Sequence, residues 1–217
     1  MTYLFDTMTA TPLCEIMGRN GSDKGHMNIT ASRHNYTTLY YSLFKDLRNR
    51  SLRVFDLGLG TNNTDVLSNM GPHGRPGASL YGWHQFFPHA KIFGADIDKR
   101  ILFNADRIKT FFCDQTNPGI IHVMWRDQEL HEPFDIIIDD GLHTFEANVC
   151  FFENSIHRLA NGGYYIVEDI KDENMPRFEE IFKVWRKIYA DLRFTLIHLP
   201  SMNDPGDNNM LVIRKAD

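Results

Sequence analysis

Two stretches of this sequence place acidic side chains where they could act together. Phe134-Asp-Ile-Ile-Ile-Asp-Asp-Gly-Leu-His143 and Tyr164-Tyr-Ile-Val-Glu-Asp-Ile170 are each a short apolar run ending in adjacent acids. Ile136, Ile137 and Ile138 form the β-branched run expected of a strand buried on both faces of a parallel sheet. Asp139 and Asp140 follow where that strand leaves the sheet, with His143 three residues on. Tyr165, Ile166 and Val167 repeat the pattern and deliver Glu168 and Asp169. If the two strands are neighbours, their ends lie about 5 Å apart and the carboxylates converge. Like charges held that close repel unless a cation or a proton sits among them. The carboxyl ends of strands are also where open α/β sheets bind ligands.

The elements that must position these groups follow from periodicity and punctuation. Residues 1–50 read as a helical extension or cap on a body spanning residues 51–217. Thr11-Pro-Leu-Cys-Glu-Ile-Met17 predicts a short helix, which the three glycines of Gly18-Arg-Asn-Gly-Ser-Asp-Lys-Gly25 break. Tyr36, Leu39, Tyr40, Leu43 and Phe44 then share one face of a second helix, a pattern that ordinary core packing explains. Asp23, Lys24 and His34 suit a core poorly, so this loop is expected to cover a ligand.

Leu52-Arg-Val-Phe-Asp-Leu-Gly-Leu-Gly60 is a strand and a glycine turn, with Asp56 two residues before Gly58. Glycine there lets backbone N–H groups approach a ligand closely. Thr61, Asn62 and Asn63 follow, so the pattern departs from the GxGxxG of a dinucleotide cradle. After a long loop over residues 62–78, Ser79 reads as the N-cap of a helix that ends before Pro88. The next strand, Lys91-Ile-Phe-Gly-Ala-Asp-Ile-Asp98, brings Asp96 to the position that usually meets ribose hydroxyls, while Asp98 suits a helix cap. A third strand over Arg107–Gln115 ends in Asp114 and Gln115, and a helix runs from Asn117 to about Glu129. A helix over Thr144–Ala160 is stopped by Asn161-Gly-Gly163, and another spans residues 173–191. Two closing strands, Phe194–Leu199 and Asn209–Lys215, flank the turn-rich Asp204-Pro-Gly-Asp-Asn-Asn209 as an antiparallel hairpin at the sheet edge.

Length and charge narrow the function classes. The 217 residues suffice for one full core, and a net charge of -5 argues against an electrostatic nucleic-acid binder. No apolar run approaches a membrane span, and the start lacks a basic-then-apolar signal pattern. Cys14, Cys113 and Cys150 are scattered and odd in number, which fits free thiols in a reducing compartment. The expectation is a cytoplasmic globular protein, possible as a homo-oligomer, with no nucleic-acid or membrane partner.

Five alternating strands followed by a terminal hairpin resemble the class I S-adenosylmethionine-dependent methyltransferases. The resemblance covers residues 52–215. It implies an α/β, Rossmann-like seven-stranded sheet, parallel except for an antiparallel C-terminal strand, with helices on both faces. Val54-Phe-Asp-Leu-Gly-Leu-Gly60 is similar to the family's first motif, so Asp56, Gly58 and Gly60 are implied to wrap the methionine part of the cofactor. Asp96 falls at the ribose-binding acid and Asp114, with Gln115, near the adenine. Ser79 and Lys24 are placed against the cofactor too. Asp139 either faces the cofactor's amino group or holds its own turn.

A narrower resemblance is to the metal-dependent O-methyltransferases of macrolide sugars, the mycinamicin and macrocin enzymes, and to the rhamnosyl-tetracenomycin enzymes. It rests on Gly21-Ser-Asp-Lys-Gly25, Ile138-Asp-Asp-Gly-Leu-His143 and Val167-Glu-Asp169. Through it, Asp140, Glu168 and Asp169 are implied as magnesium ligands and His143 as the catalytic base. Leu142 replaces the commoner Ser, and the larger members' N-terminal domain has no counterpart in these residues, which implies that substrate capture and assembly differ.

The implied reaction moves a methyl group from S-adenosylmethionine to a hydroxyl of a sugar or glycosylated small molecule. A divalent cation lowers the hydroxyl's pKa and fixes its aim, and three carboxylates without cysteine suit Mg²⁺ or Mn²⁺. His143, with an intrinsic pKa near 6.5, suits the released proton. Two other classes remain open. One is a metal-independent methyltransferase of this fold acting on nitrogen or a carboxylate. The other is a non-catalytic cofactor-binding homologue. A nicotinamide dehydrogenase is the most distant reading.

Overall fold

Near-continuous burial of the central strands sets the architecture. The computed structural model describes residues 6–27, 33–200, 203 and 206–217. Strands β1 (Arg53–Leu57), β2 (Lys91–Asp96), β3 (Asn104–Ala105), β4 (Ile108–Phe112), β5 (Phe134–Asp139), β6 (Leu159–Ile170), β7 (Leu192–His198) and β8 (Asn209–Lys215) form one sheet. Their order is β3-β4-β2-β1-β5-β6-β8-β7. The contacts β4-β2-β1-β5-β6 are parallel, and β8 inserts antiparallel between β6 and β7. The sheet has eight strands where seven were expected, because the two residues of β3 pair antiparallel with β4 at the edge.

Ile136 and Ile138 pack on one face of the sheet and Ile137 on the other, so the isoleucine run is buried from both sides. The first face is covered by α1 (Pro12–Asn20), α2 (Tyr36–Phe44) and α3 (Ala78–Phe86), through Leu13, Met17, Leu39, Phe44, Leu80 and Trp83. The second is covered by α4 (Pro118–Met124), α5 (Phe145–Ser155) and α6 (Met175–Ile188), through Ile121, Phe151, Phe152, Phe182 and Trp185. Residues 12–44 thus supply two helices to the same core as the strands.

Several boundaries differ from the sequence-based expectation. Helix α3 starts at Ala78 with Gly77 as its cap at φ 77°, so Ser79 lies inside the helix and caps nothing. Helix α4 stops at Met124, and Gln128–Leu130 is a separate 3₁₀ turn. Helix α5 ends at Ser155, and Asn161-Gly-Gly163 lies within β6 and does not terminate a helix. A Cβ on Gly163 would stand 3.0 Å from the Asp135 carbonyl, so close strand approach accounts for a glycine there. In the turn expected before β8, Asp204 and Pro205 lie outside the described residues. Cys14, Cys113 and Cys150 are free thiols. Among the described residues no helix is long and apolar enough to cross a membrane.

Candidate functional site

The glycine turn after β1 is fitted to its neighbours by contacts that only glycine permits. Gly58 has φ 92°, and a Cβ there would lie 1.9 Å from the Asp140 carbonyl oxygen. The turn is pinned by Gly58 N–H donating to Ala95 O at 2.8 Å and by Leu59 N–H donating to Asp96 Oδ2 at 2.7 Å. Asp140 N–H in turn donates to Leu57 O at 2.9 Å, which ties the ends of β1 and β5 together. A cavity of about 560 Å³ opens above them. Lys24, Gly58, Gly60, Ser79, Asp96, Asp114, Gln115, Asp140, His143 and Asp169 all line it. Its size is that of a cofactor or small-ligand site.

Asp56 and Asp139 lie beneath this cavity instead of on its wall. Strand alternation turns Asp56 toward α3, where Trp83 Nε1 donates to Oδ2 at 3.0 Å and the Ser79 hydroxyl reaches the same carboxylate. Asp139 faces the opposite side, accepting from Gln115 Nε2 at 2.6 Å and Asn148 Nδ2 at 3.1 Å. Burial pushes the Asp139 carboxyl up to about 7. Of its two expected roles, the geometry matches the one that holds the turn. Gln115 has a similar task, because its Oε1 accepts from Leu142 N–H at 2.8 Å. Thus Asp56 and Asp139 brace the strand ends that face the cavity, while Gln115 lines the cavity and braces Leu142 as well. Asp98, as expected, caps a 3₁₀ turn and also accepts from Thr61 Oγ1 at 2.6 Å.

The acidic end is shaped by an irregularity in β6. Consecutive strand residues point to opposite faces, so a regular β6 would separate Glu168 from Asp169. Between Val167 and Ile170 the pairing with β8 shifts register, and Asp169 adopts φ 52°. This bulge re-aims the side chain, so that both acids meet residues of α2 and the segment before it. Tyr36 donates from its hydroxyl to Asp169 Oδ1 at 2.5 Å, and the Tyr40 hydroxyl donates to Glu168 Oε1. His34, stacked on Tyr36 at 4.7 Å, brings Nε2 within 3.5 Å of Asp169 Oδ1. His143 also has left-handed backbone, φ 59°, and its Nε2 stands 3.6 Å from Asp169 Oδ2. Backbone strain of this kind at side chains that could do chemistry is a feature of functional sites.

Ligand atoms of Asp140, His143 and Asp169 all lie within 4.8 Å of one another. Lys24, 1% exposed, donates from Nζ to Asp140 Oδ2 and, at 2.5 Å, to Glu168 Oε2. Burial and the charges of Lys24 and Asp140 act on Glu168, and burial prevails, holding its carboxyl well above the usual range. The donors are carboxylate oxygens with one imidazole, and an ammonium already stands between two of them. A set of that chemistry fits a hard divalent cation.

Known proteins similar to this chain in sequence are O-methyltransferases. The 8-demethyl-8-(2-methoxy-alpha-L-rhamnosyl)-tetracenomycin-C 3'-O-methyltransferase of Streptomyces olivaceus is 34% identical over 167 residues, 76% of this chain and 38% of its own length. The demethylmacrocin O-methyltransferase of Streptomyces fradiae is 31% identical over 147 residues, 68% of this chain and 34% of its own. The chain is homologous to O-methyltransferases of the tetracenomycin, macrocin and mycinamicin type. It spans about two fifths of the length of these relatives. No protein-family model matches it. Among solved structures, the MycE methyltransferase of the mycinamycin biosynthetic pathway, in complex with Mg and SAH, superposes with a TM-score of 0.70 at 22% identity. That likeness covers 96% of this chain and 56% of MycE, and it establishes a common methyltransferase fold.

Within that fold, Tyr36 and Tyr40 are the residues sequence reasoning assigned only to core packing. Their signal was available: hydroxyl-bearing rings at i and i+4 on an otherwise apolar face, against two consecutive acids elsewhere. Asn148 and Trp83, which hold Asp139 and Asp56, carried no comparable signal.

Proposed function

We propose that the protein is an S-adenosylmethionine-dependent, divalent-metal-assisted O-methyltransferase acting on a hydroxyl of a sugar or glycosylated small molecule. The observation that carries this reading is the convergence of Asp140, His143 and Asp169 on the wall of the cavity that also contains Gly58, Gly60 and Asp96. In this reading Gly58, Gly60 and the carboxylates of Asp96 and Asp114 border the cofactor; Asp140 and Asp169 hold Mg²⁺ or Mn²⁺ from the cavity wall, and Glu168, off that wall and joined to Asp140 through Lys24, completes the ligand set. When bound, the cofactor supplies the methyl group and the cation supplies Lewis acidity toward the acceptor hydroxyl. His143 serves as the base: its side chain lines the cavity, with Nε2 3.6 Å from Asp169 Oδ2. Asp139, Gln115 and Asn148 keep the end of β5 in place throughout.

The test is methyl transfer to rhamnosylated polyketides and related glycosides with labelled S-adenosylmethionine, with and without EDTA. Turnover that EDTA abolishes and Mg²⁺ restores is expected, with His143→Gln reducing the rate about 10²–10⁴-fold at unchanged cofactor affinity. Full turnover in EDTA would exclude the metal-assisted reading.

A further inference from the structure

We infer that Lys24 is an internal competitor of the divalent cation, bridging two of its carboxylate ligands and leaving them when the ion binds. The inference rests on the metal site proposed above. The Lys24 ammonium contacts Asp140 Oδ2 and Glu168 Oε2, and Tyr40 holds the second oxygen of Glu168. The ammonium thus sits on two of the three proposed ligands, while the third, Asp169, is held by Tyr36 and lines the cavity with Asp140 and His143.

A lysine ammonium has three donors and no acceptor, so an ion that takes these oxygens at coordination distance needs the space the ammonium fills. The two cations also repel at that separation. The backbone around Lys24 is anchored: Gly21 caps α1 in left-handed geometry, and Thr37 N–H donates to Lys24 O at 3.2 Å. A Cβ on Gly25 would fall 1.9 Å from Thr37 Oγ1, so the loop sits against α2 with no room to spare. The exchange is thus a side-chain movement. The four-carbon stem of Lys24 swings into the cavity, which it already lines, while the loop stays. Until then the ammonium donates to both carboxyls, which would otherwise lose these partners.

The experiment has two arms. The first is calorimetric titration of Mn²⁺ into wild type and Lys24→Met. Wild type must first populate the state with Lys24 withdrawn, so the variant is expected to bind at least about tenfold more tightly. Removing a positive charge favours cations from a distance as well, so the second arm reads position directly. Wild-type amines are acylated with acetic anhydride and mapped by mass spectrometry, with and without saturating Mn²⁺. Lys24 is expected to be protected without the ion and labelled with it. Equal or weaker Mn²⁺ affinity in Lys24→Met, or continued protection of Lys24 at saturation, overturns the competition while leaving the metal site standing. If Lys24→Met does not fold, the labelling arm decides alone. Absence of Mn²⁺ binding to either protein overturns the metal reading and this inference together.

Discussion

Four carboxylates, those of Asp56, Asp140, Glu168 and Asp169, share the ends of β1, β5 and β6 with one buried ammonium. Their protonation is set by what surrounds each. Burial, and next the charges of Asp169 and Glu168, keep the Tyr36 and Tyr40 hydroxyls far above their ordinary range, so both remain donors at neutral pH. Burial likewise pushes Asp56 up to about 6 from 3.8, against the opposing pull of Lys24. The folded state therefore binds a proton that the unfolded chain releases. That contribution is complete below about pH 3.8 and is lost as pH rises through about 6, on the order of 3 kcal/mol in total. Urea unfolding at a series of pH values should show wild type losing stability across that window. Asp56→Asn, which retains an acceptor for Trp83 Nε1, should flatten the slope there, and an unchanged slope would assign the titration to other groups.

At the scale of elements, two irregularities place the chemistry: the glycine turn after β1 and the bulge in β6. The turn illustrates how steric and conformational demands separate. Gly58 combines positive φ with backbone contact to Asp140, whereas Gly71 has φ 71° and a Cβ added to it would meet nothing within 4 Å. Gly71→Ala is therefore expected to cost about 1 kcal/mol from backbone conformation alone. Gly58→Ala should cost about 2–4 kcal/mol, because the turn must also part from the end of β5. Calorimetry should further show weakened S-adenosylhomocysteine binding to Gly58→Ala and near wild-type binding to Gly71→Ala. Equal stability losses would mean that the contact with Asp140 relaxes at no cost.

At the scale of the whole molecule, the first 50 residues do more than decorate a methyltransferase sheet. Leu13, Met17, Leu39, Tyr40 and Phe44 close the core over Val54, Ile92, Ile136, Ile138 and Ile166. Lys24, His34, Tyr36 and Tyr40 from the same segment hold the acids at the other end of those strands. A cap and a site support would be lost together on truncation. A chain of residues 51–217 is expected to lack a cooperative thermal transition and to expose apolar surface to a hydrophobic dye. A cooperative melt of the truncated chain would show instead that the body is an independent domain.

Much of this organisation was legible in the amino-acid sequence because it is local. The isoleucine run of β5, the apolar run of β6 and the glycines of the first turn announce buried strands and a close backbone approach within a few residues of themselves. The convergence of Asp96, Asp114, Asp140 and His143 on one cavity follows once those strands are parallel neighbours. The helix ends were less legible, since Asn161-Gly-Gly163 reads as a stop signal yet serves β6, where tertiary pairing overrides local preference. Three features were settled only by the tertiary structure. Strand alternation sends Asp56 and Asp139 under the cavity and not into it, because which face is buried depends on the helices that pack there. The β6 bulge brings Glu168 and Asp169 to a common side, because register is fixed by pairing with β8, some 40 residues away. Lys24 meets Asp140 and Glu168 across 116 and 144 residues of chain. Contacts at such separation leave no periodic trace in the sequence, since only the folded core brings their ends together.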